Sequence, residues 1–110
     1  MFSNDDALRD ALVGAGLRAD ERLWPMPIDD LHDRELAHAR ADLRNVGAYA
    51  GGASAAAAFL RYFVTGASAW AHVDMAGKGS FAFERDYVAA GASGFGTRLL
   101  FELASELAEV

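Results

Sequence analysis

After the glycine pair Gly51-Gly52, the residues Ala56, Phe59, Leu60, Phe63 and Val64 fall at i, i+3, i+4, i+7 and i+8. That spacing puts them on one face of a helix and predicts one from about Ala53 to Thr65. The other positions are mostly alanine, which predicts a helix packed closely on more than one side. A second amphipathic helix is expected after Gly91-Ala92-Ser93-Gly94-Phe95-Gly96. In it Leu99, Leu100, Leu103, Ala104 and Leu107 should be buried, with Arg98, Glu102, Glu106 and Glu109 in water. Near the start, Leu8, Ala11, Leu12 and Ala15 share one apolar face behind Ser3-Asn4-Asp5-Asp6. Ser3 is expected as its N-cap, acids sit at the positive end of the dipole, and Arg9 can pair with Asp5 one turn back. This helix should stop between Gly14 and Arg18.

Between these helices the pattern changes. Leu23-Trp24-Pro25-Met26-Pro27-Ile28 has prolines at alternate positions, so it is extended chain or an edge strand. From Asp29 to Arg40 charge dominates and only Leu31 and Leu36 make an apolar face, which predicts an exposed helix. Ala69 to Met75 is short, apolar and bounded by Gly66-Ala67-Ser68 and Gly77, the best strand candidate in the chain. The order of elements predicts an α/β class: a partial three-layer domain with about four helices packed on a small mixed sheet. One strong strand needs neighbours to pair its backbone groups, and few stretches here could supply them.

At 110 residues the length fits one domain. With 53% hydrophobic and 24% charged residues, the composition is that of a chain with a core. The net charge of -6 repels phosphate backbones and anionic lipid, so nucleic acid is not an expected partner. The longest uncharged window, Asn45 to Leu60, has 16 residues and includes three glycines. A membrane span needs roughly 20 apolar residues, so this window is expected inside protein. No cysteine is present, which removes disulfides, thiolate chemistry and cysteine-bound zinc. The first residues carry acids where a secretion signal carries bases. The single lysine, Lys78, reads as a solvated surface group.

The candidate chemistry is sparse. On a strand His72 and Asp74 would point to one face about 6.6 Å apart along the chain, a spacing open to two ligands of one metal. Zinc needs three or four protein ligands, and His32 and His38 lie six apart, on different faces of a helix. The competing reading is a strand-end histidine and aspartate hydrogen-bonded to backbone. Gly94-Phe95-Gly96 before a helix is similar to a phosphate-binding turn, but Leu99 stands where a third glycine would be. Glycines that permit a tight entry turn explain it more simply. Ser54, Ser68, Ser80 and Ser93 lack the G-x-S-x-G context of an esterase nucleophile. Asp29, Asp30, Asp33 and Glu35 read as a solvated helix start.

Six segments together resemble the C-terminal part of the leucyl (cytosol) aminopeptidase family: FSNDDALRDAL at 2 to 12, ERLWPMPID at 21 to 29, ADLRNVG at 41 to 47, GGASAAAAFLRYFV at 51 to 64, WAHVDMAG at 70 to 77 and GASGFGTRLLFEL at 91 to 103. The resemblance implies that residues 1–110 are the C-terminal portion of a catalytic domain of cytoplasmic exopeptidases, which use two divalent metals, zinc or manganese, and assemble as hexamers. In the family, metal ligands and catalytic groups come from a glycine-rich segment bearing Lys and Asp and from an Asn-Thr-Asp-Ala-Glu-Gly-Arg-Leu segment. Neither occurs here, so no catalytic residue, metal ligand or cofactor is expected in this chain. By position, Ala76 and Gly79 match residues lining the pocket for the first side chain of the peptide, and Val46 matches one lining the next. Gly79 is smaller than the apolar residues expected there, and Ala50 stands where members often carry arginine.

Two functions follow. The first is the C-terminal piece of an aminopeptidase, inactive alone, because hydrolysis by such enzymes needs the metals to bind the carbonyl and generate hydroxide. Its expected partner is the missing N-terminal part or further copies of itself. The second is a stand-alone structural or interaction protein that docks on an aminopeptidase subunit or self-associates through an exposed sheet edge.

Overall fold

A computed structural model describes residues 1–48, 52–66 and 69–108. The readings that involve Ala50, Gly51, Ala67, Ser68 and Glu109 lie outside these residues. The described elements run β1 (Phe2–Ser3), α1 (Asp6–Arg18), α2 (Asp30–Glu35), α3 (Gly52–Arg61), β2 (Ala71–His72), β3 (Ser80–Phe81), β4 (Gly91–Ala92) and α4 (Thr97–Ala108). Four helices with short strands agree with the α/β class. The strands divide into two antiparallel pairs, β1 with β2 and β3 with β4. The chain forms two compact units, one of Met1–Arg9 with Pro25–His72 and the other of Asp10–Trp24 with Val73–Val110.

In the first unit, β1 pairs Phe2 with His72 and Ser3 with Ala71. The strand expected over Ala69 to Met75 is cut to two residues because its partner β1 is only two residues long. Ser3 does not cap α1. Its hydroxyl donates to the carbonyl of Trp70 at 2.8 Å, and Asp5 caps the helix by accepting from the Leu8 N–H at 2.7 Å. Arg9 pairs with Asp6 in the first turn. The exposed helix expected over 29–40 is limited to α2, where Asp29 and His32 form a reciprocal capping box and Leu36 is buried just past the end. The stretch from Leu23 to Ile28 is extended as expected, tied by the Met26 N–H donating to the Met1 carbonyl at 2.9 Å.

α2 packs on α3, and Arg61 on α3 grips both oxygens of Asp33 at 2.7 and 2.8 Å. The core of this unit is Met1, Phe2, Leu36, Ala55, Ala57 and Ala58. The face buried by α3 is therefore Ser54, Ala55, Ala57 and Ala58, and not the stripe of Ala56, Leu60 and Phe63, which is exposed. Small side chains let the helix backbone approach its neighbours closely, and the large ones are then left facing out.

In the second unit, α1 buries Leu12 and Ala15 from the face read in the sequence, with Gly16 beside them and Ala11 half-buried, and α4 buries Leu99. The expected burial of Leu100, Ala104 and Leu107 is corrected: all three are exposed, as is Phe101 at 71%. Glu102 and Glu106, expected in open water, face Arg18 at 3.5 and 2.6 Å. These ion pairs and the fit of Leu99 turn the polar side of α4 toward its own unit and leave Leu100, Phe101, Ala104 and Leu107 as an outward apolar stripe.

Candidate functional site

The stretch that begins at His72 resolves into separate local roles. The His72 ring is stacked with Phe2 at 6.1 Å and with Trp70 at 6.4 Å between centroids, which accounts for it as part of a half-buried aromatic stack. Asp74 accepts from the Ala76 N–H at 2.8 Å and so starts a turn. Lys78 and Gly79 then donate their N–H groups to the Met75 carbonyl at 2.9 and 3.0 Å, and Gly77 takes a φ of +75°, where a side chain would be strained. The other histidines are engaged locally: His32 Nδ1 accepts from the Asp29 N–H and His38 Nδ1 from the Arg40 N–H. Among the described residues no three or more His, Cys, Asp or Glu side chains are grouped so as to hold a metal.

Ala76 and Gly79 both belong to this turn, and the Gly79 carbonyl accepts from the Ser93 N–H at 3.0 Å, continuing the β3–β4 ladder. A Cβ at Gly79 would meet only the Met75 carbonyl at 3.7 Å, so the methyl of an alanine would be accommodated. Val46 lies in the other unit, 72% exposed, on the wall of a groove of about 720 Å³ shared with His38, Phe59 and Phe63.

The Gly94-Phe95-Gly96 turn has the anion it calls for within the chain. α4 begins at Thr97 behind a glycine, so no local side chain caps it. Glu21, only 5% exposed, supplies the acceptor: one carboxylate oxygen takes the N–H groups of Gly96 and Leu99, each at 3.0 Å, and the other faces Arg98 Nε at 3.3 Å. This removes the phosphate-turn reading. Gly96 is at φ +94° to present its N–H to that carboxylate. Arg98 also donates to the Tyr87 hydroxyl at 2.9 Å and lies over the Tyr87 ring at 5.0 Å. The bond to Tyr87, and then that to Glu21, holds the guanidinium above its ordinary pKa against a smaller desolvation effect.

Sequence reasoning missed one constellation. Lys78 lines a concavity of about 310 Å³ together with Arg22, Arg85 and Arg98. These are four of the ten basic residues in a chain of net charge -6. They are spread over 77 positions, so no local spacing could reveal the cluster, and the isolated lysine was its only trace.

Residues 1–101 match the model of the cytosol aminopeptidase family, catalytic domain. A probable cytosol aminopeptidase of Chloroherpeton thalassium is 45% identical over 103 residues, covering 94% of this chain and 20% of that protein. Among solved structures, the cytosol aminopeptidase of Coxiella burnetii is 30% identical with a TM-score of 0.83, covering 96% of this chain and 23% of that one. The bottromycin maturation enzyme BotP in complex with Mn is 34% identical with a TM-score of 0.88, covering 96% and 24%. The chain thus spans about a fifth of the length of the curated relatives it matches. Matched over nearly all its residues by the family model, by curated relatives and by solved folds, this chain belongs to the cytosol aminopeptidase family.

Proposed function

We propose that residues 1–110 form the C-terminal portion of a cytosol-aminopeptidase-type catalytic domain, whose whole releases N-terminal amino acids from peptides with the help of two divalent metals, zinc or manganese. The observation that carries this reading is the end-to-end match to a family whose curated members are about five times longer. The metals do not fit the residues present, since no ligand group occurs among the described residues and neither metal-binding segment of the family occurs in the sequence. Hydrolysis therefore belongs to the part of the domain outside these residues, and the chain alone is inactive.

What this chain contributes is wall. Ala76 and Gly79 stand on a turn fixed by Asp74 and by the Met75 carbonyl, and we assign them to the pocket for the first side chain of the peptide. Val46, exposed beside Phe63, is assigned to the next pocket. The partner is the N-terminal remainder of the domain, and the outward stripe of α4 supports it: large apolar side chains at 71% and 61% exposure, Phe101 and Leu107, call for a covering surface. The assembled enzyme is taken as a homo-oligomer, as the family resemblance implies, and as cytoplasmic, which the names of the cytosol aminopeptidase relatives support. No described helix is long and apolar enough to cross a membrane. The test is hydrolysis of leucine-p-nitroanilide by the purified chain with manganese or zinc added. No turnover is expected, and turnover abolished by a chelator would overturn the assignment.

A further inference from the structure

In the basic concavity of the second unit, the side chains of Arg22, Lys78 and Arg85 serve none of the roles above. Its floor is fixed: the Ser93 hydroxyl donates to the Lys78 carbonyl and accepts from the Phe95 N–H, and the Arg85 and Val88 backbones bond each other in both directions at 3.0 and 2.8 Å. Arg85 lies over the Phe81 ring at 5.2 Å, which orients its guanidinium without neutralising it. Among the described residues, Arg22, Lys78 and Arg85 have no ion-pair partner. Of the acids in the wall, Glu21 is consumed by α4 and Arg98, which leaves Asp20 and Asp86. Three unpaired cations against two carboxylates give a locally positive hollow in an acidic chain. The Tyr87 hydroxyl, which accepts from Arg98, keeps its own proton to donate. Asp20 and Asp86 are also the two described residues other than glycine with positive φ, 55° and 52°, so both flanks of the hollow are set by uncommon backbone conformations.

We propose that this hollow binds a small oxyanion, a carboxylate or phosphate group of a low-molecular-weight ligand, held by Lys78, Arg22 and Arg85 with the Tyr87 hydroxyl as a fourth donor. A planar guanidinium and an ammonium can together satisfy several oxygens of such a group, and a volume of about 310 Å³ suits a small organic anion. Asp20 and Asp86 would repel an extended polyanion, so nucleic acid is not the ligand. This inference does not depend on the aminopeptidase reading, because the hollow lies wholly within one compact unit of this chain.

The experiment is two-dimensional amide NMR of the full chain titrated with inorganic phosphate in one arm and malonate in the other, at constant ionic strength. Saturable shifts are expected at Lys78, Arg85, Tyr87 and Ser93 with a midpoint near or below about 1 mM, the affinity of a few charge-assisted contacts. The arm with the lower midpoint identifies the ligand as phosphate or carboxylate. Arg85→Ser, or Arg22→Ser should the first variant lose its fold, should weaken the midpoint about tenfold, the cost of one such contact. Arg40→Ser, the same charge change in the other unit, should leave it unchanged. Failure of both anions to saturate, or equal weakening by Arg40→Ser, would overturn the proposal.

Discussion

Glu21→Ala removes the carboxylate that accepts the N–H groups of Gly96 and Leu99 at 3.0 Å and faces Arg98 at 3.3 Å. A buried N–H left without its acceptor costs about 1–3 kcal/mol, and loss of a helix N-cap about 0.5–2 kcal/mol. The ion pair adds little, because the Arg98 side chain is half exposed and water screens the pair. The backbone bonds therefore dominate. Water can reach part of a helix end, so the expected loss is about 3 kcal/mol, a large share of the roughly 5–15 kcal/mol that stabilises a small domain. Urea unfolding followed by circular dichroism should show the midpoint fall by roughly 1.5 M for a slope of about 2 kcal/mol per molar. Arg98→Ala should cost clearly less than Glu21→Ala, and Glu21→Gln, which keeps one acceptor oxygen, should fall between them. Faster hydrogen exchange at the Gly96 and Leu99 amides would localise the effect. Equal losses for Glu21→Ala and Arg98→Ala would refute the reasoning, since the ion pair would then be the stabilising element.

Gly16→Ala should destabilise the chain by about 1–2 kcal/mol in the same urea assay. The added Cβ would stand 2.7 Å from the Glu21 carbonyl and 3.2 Å from Leu99 Cδ1, and this clash outweighs the gain of about 0.5–1 kcal/mol from alanine in a helix. Phe101→Asp, on the outward face of α4, should change the stability of the isolated chain by less than about 0.5 kcal/mol. The same change should weaken association with the N-terminal part of a related catalytic domain at least tenfold by calorimetry, as expected when a central aromatic anchor is lost. Asp33→Asn weakens a pair in which one Arg61 nitrogen, Nη2, contacts both carboxylate oxygens and both side chains are half-buried, and should cost about 1 kcal/mol, with a smaller cost at high salt.

The helices were legible where local rules decide them. Leu8, Leu12 and Ala15 identify the buried face of α1, and the prolines at 25 and 27 keep that segment extended. The helical identity of α3 and α4 was equally plain from spacing. The side each buries was not: α3 turns its alanines inward, and α4 is held by Leu99 and by Arg18 with Glu102 and Glu106, so the large apolar residues face out. An apolar stripe identifies a helix, and not which of its sides the rest of the chain will bury. β3 and β4, two residues each, are too short for alternation to register. Glu21 left one indirect sign, a helix entered through glycine with no capping side chain of its own. Asp74 is bonded to nearby backbone, one of the two readings its sequence left open, whereas His72 is stacked with Phe2 and Trp70, a contact that no local spacing announces.

Mixing this chain with the N-terminal segment of the Chloroherpeton thalassium relative, ended where its match to this chain begins, asks whether the two parts compose one enzyme. The expected result is a complex by gel filtration at roughly 50 µM of each part and hydrolysis of leucine-p-nitroanilide with manganese, lost on chelation, that neither part gives alone. No complex and no turnover, or equal turnover by this chain without the added segment, would contradict the proposal that it is a portion of an aminopeptidase whose metals are held elsewhere.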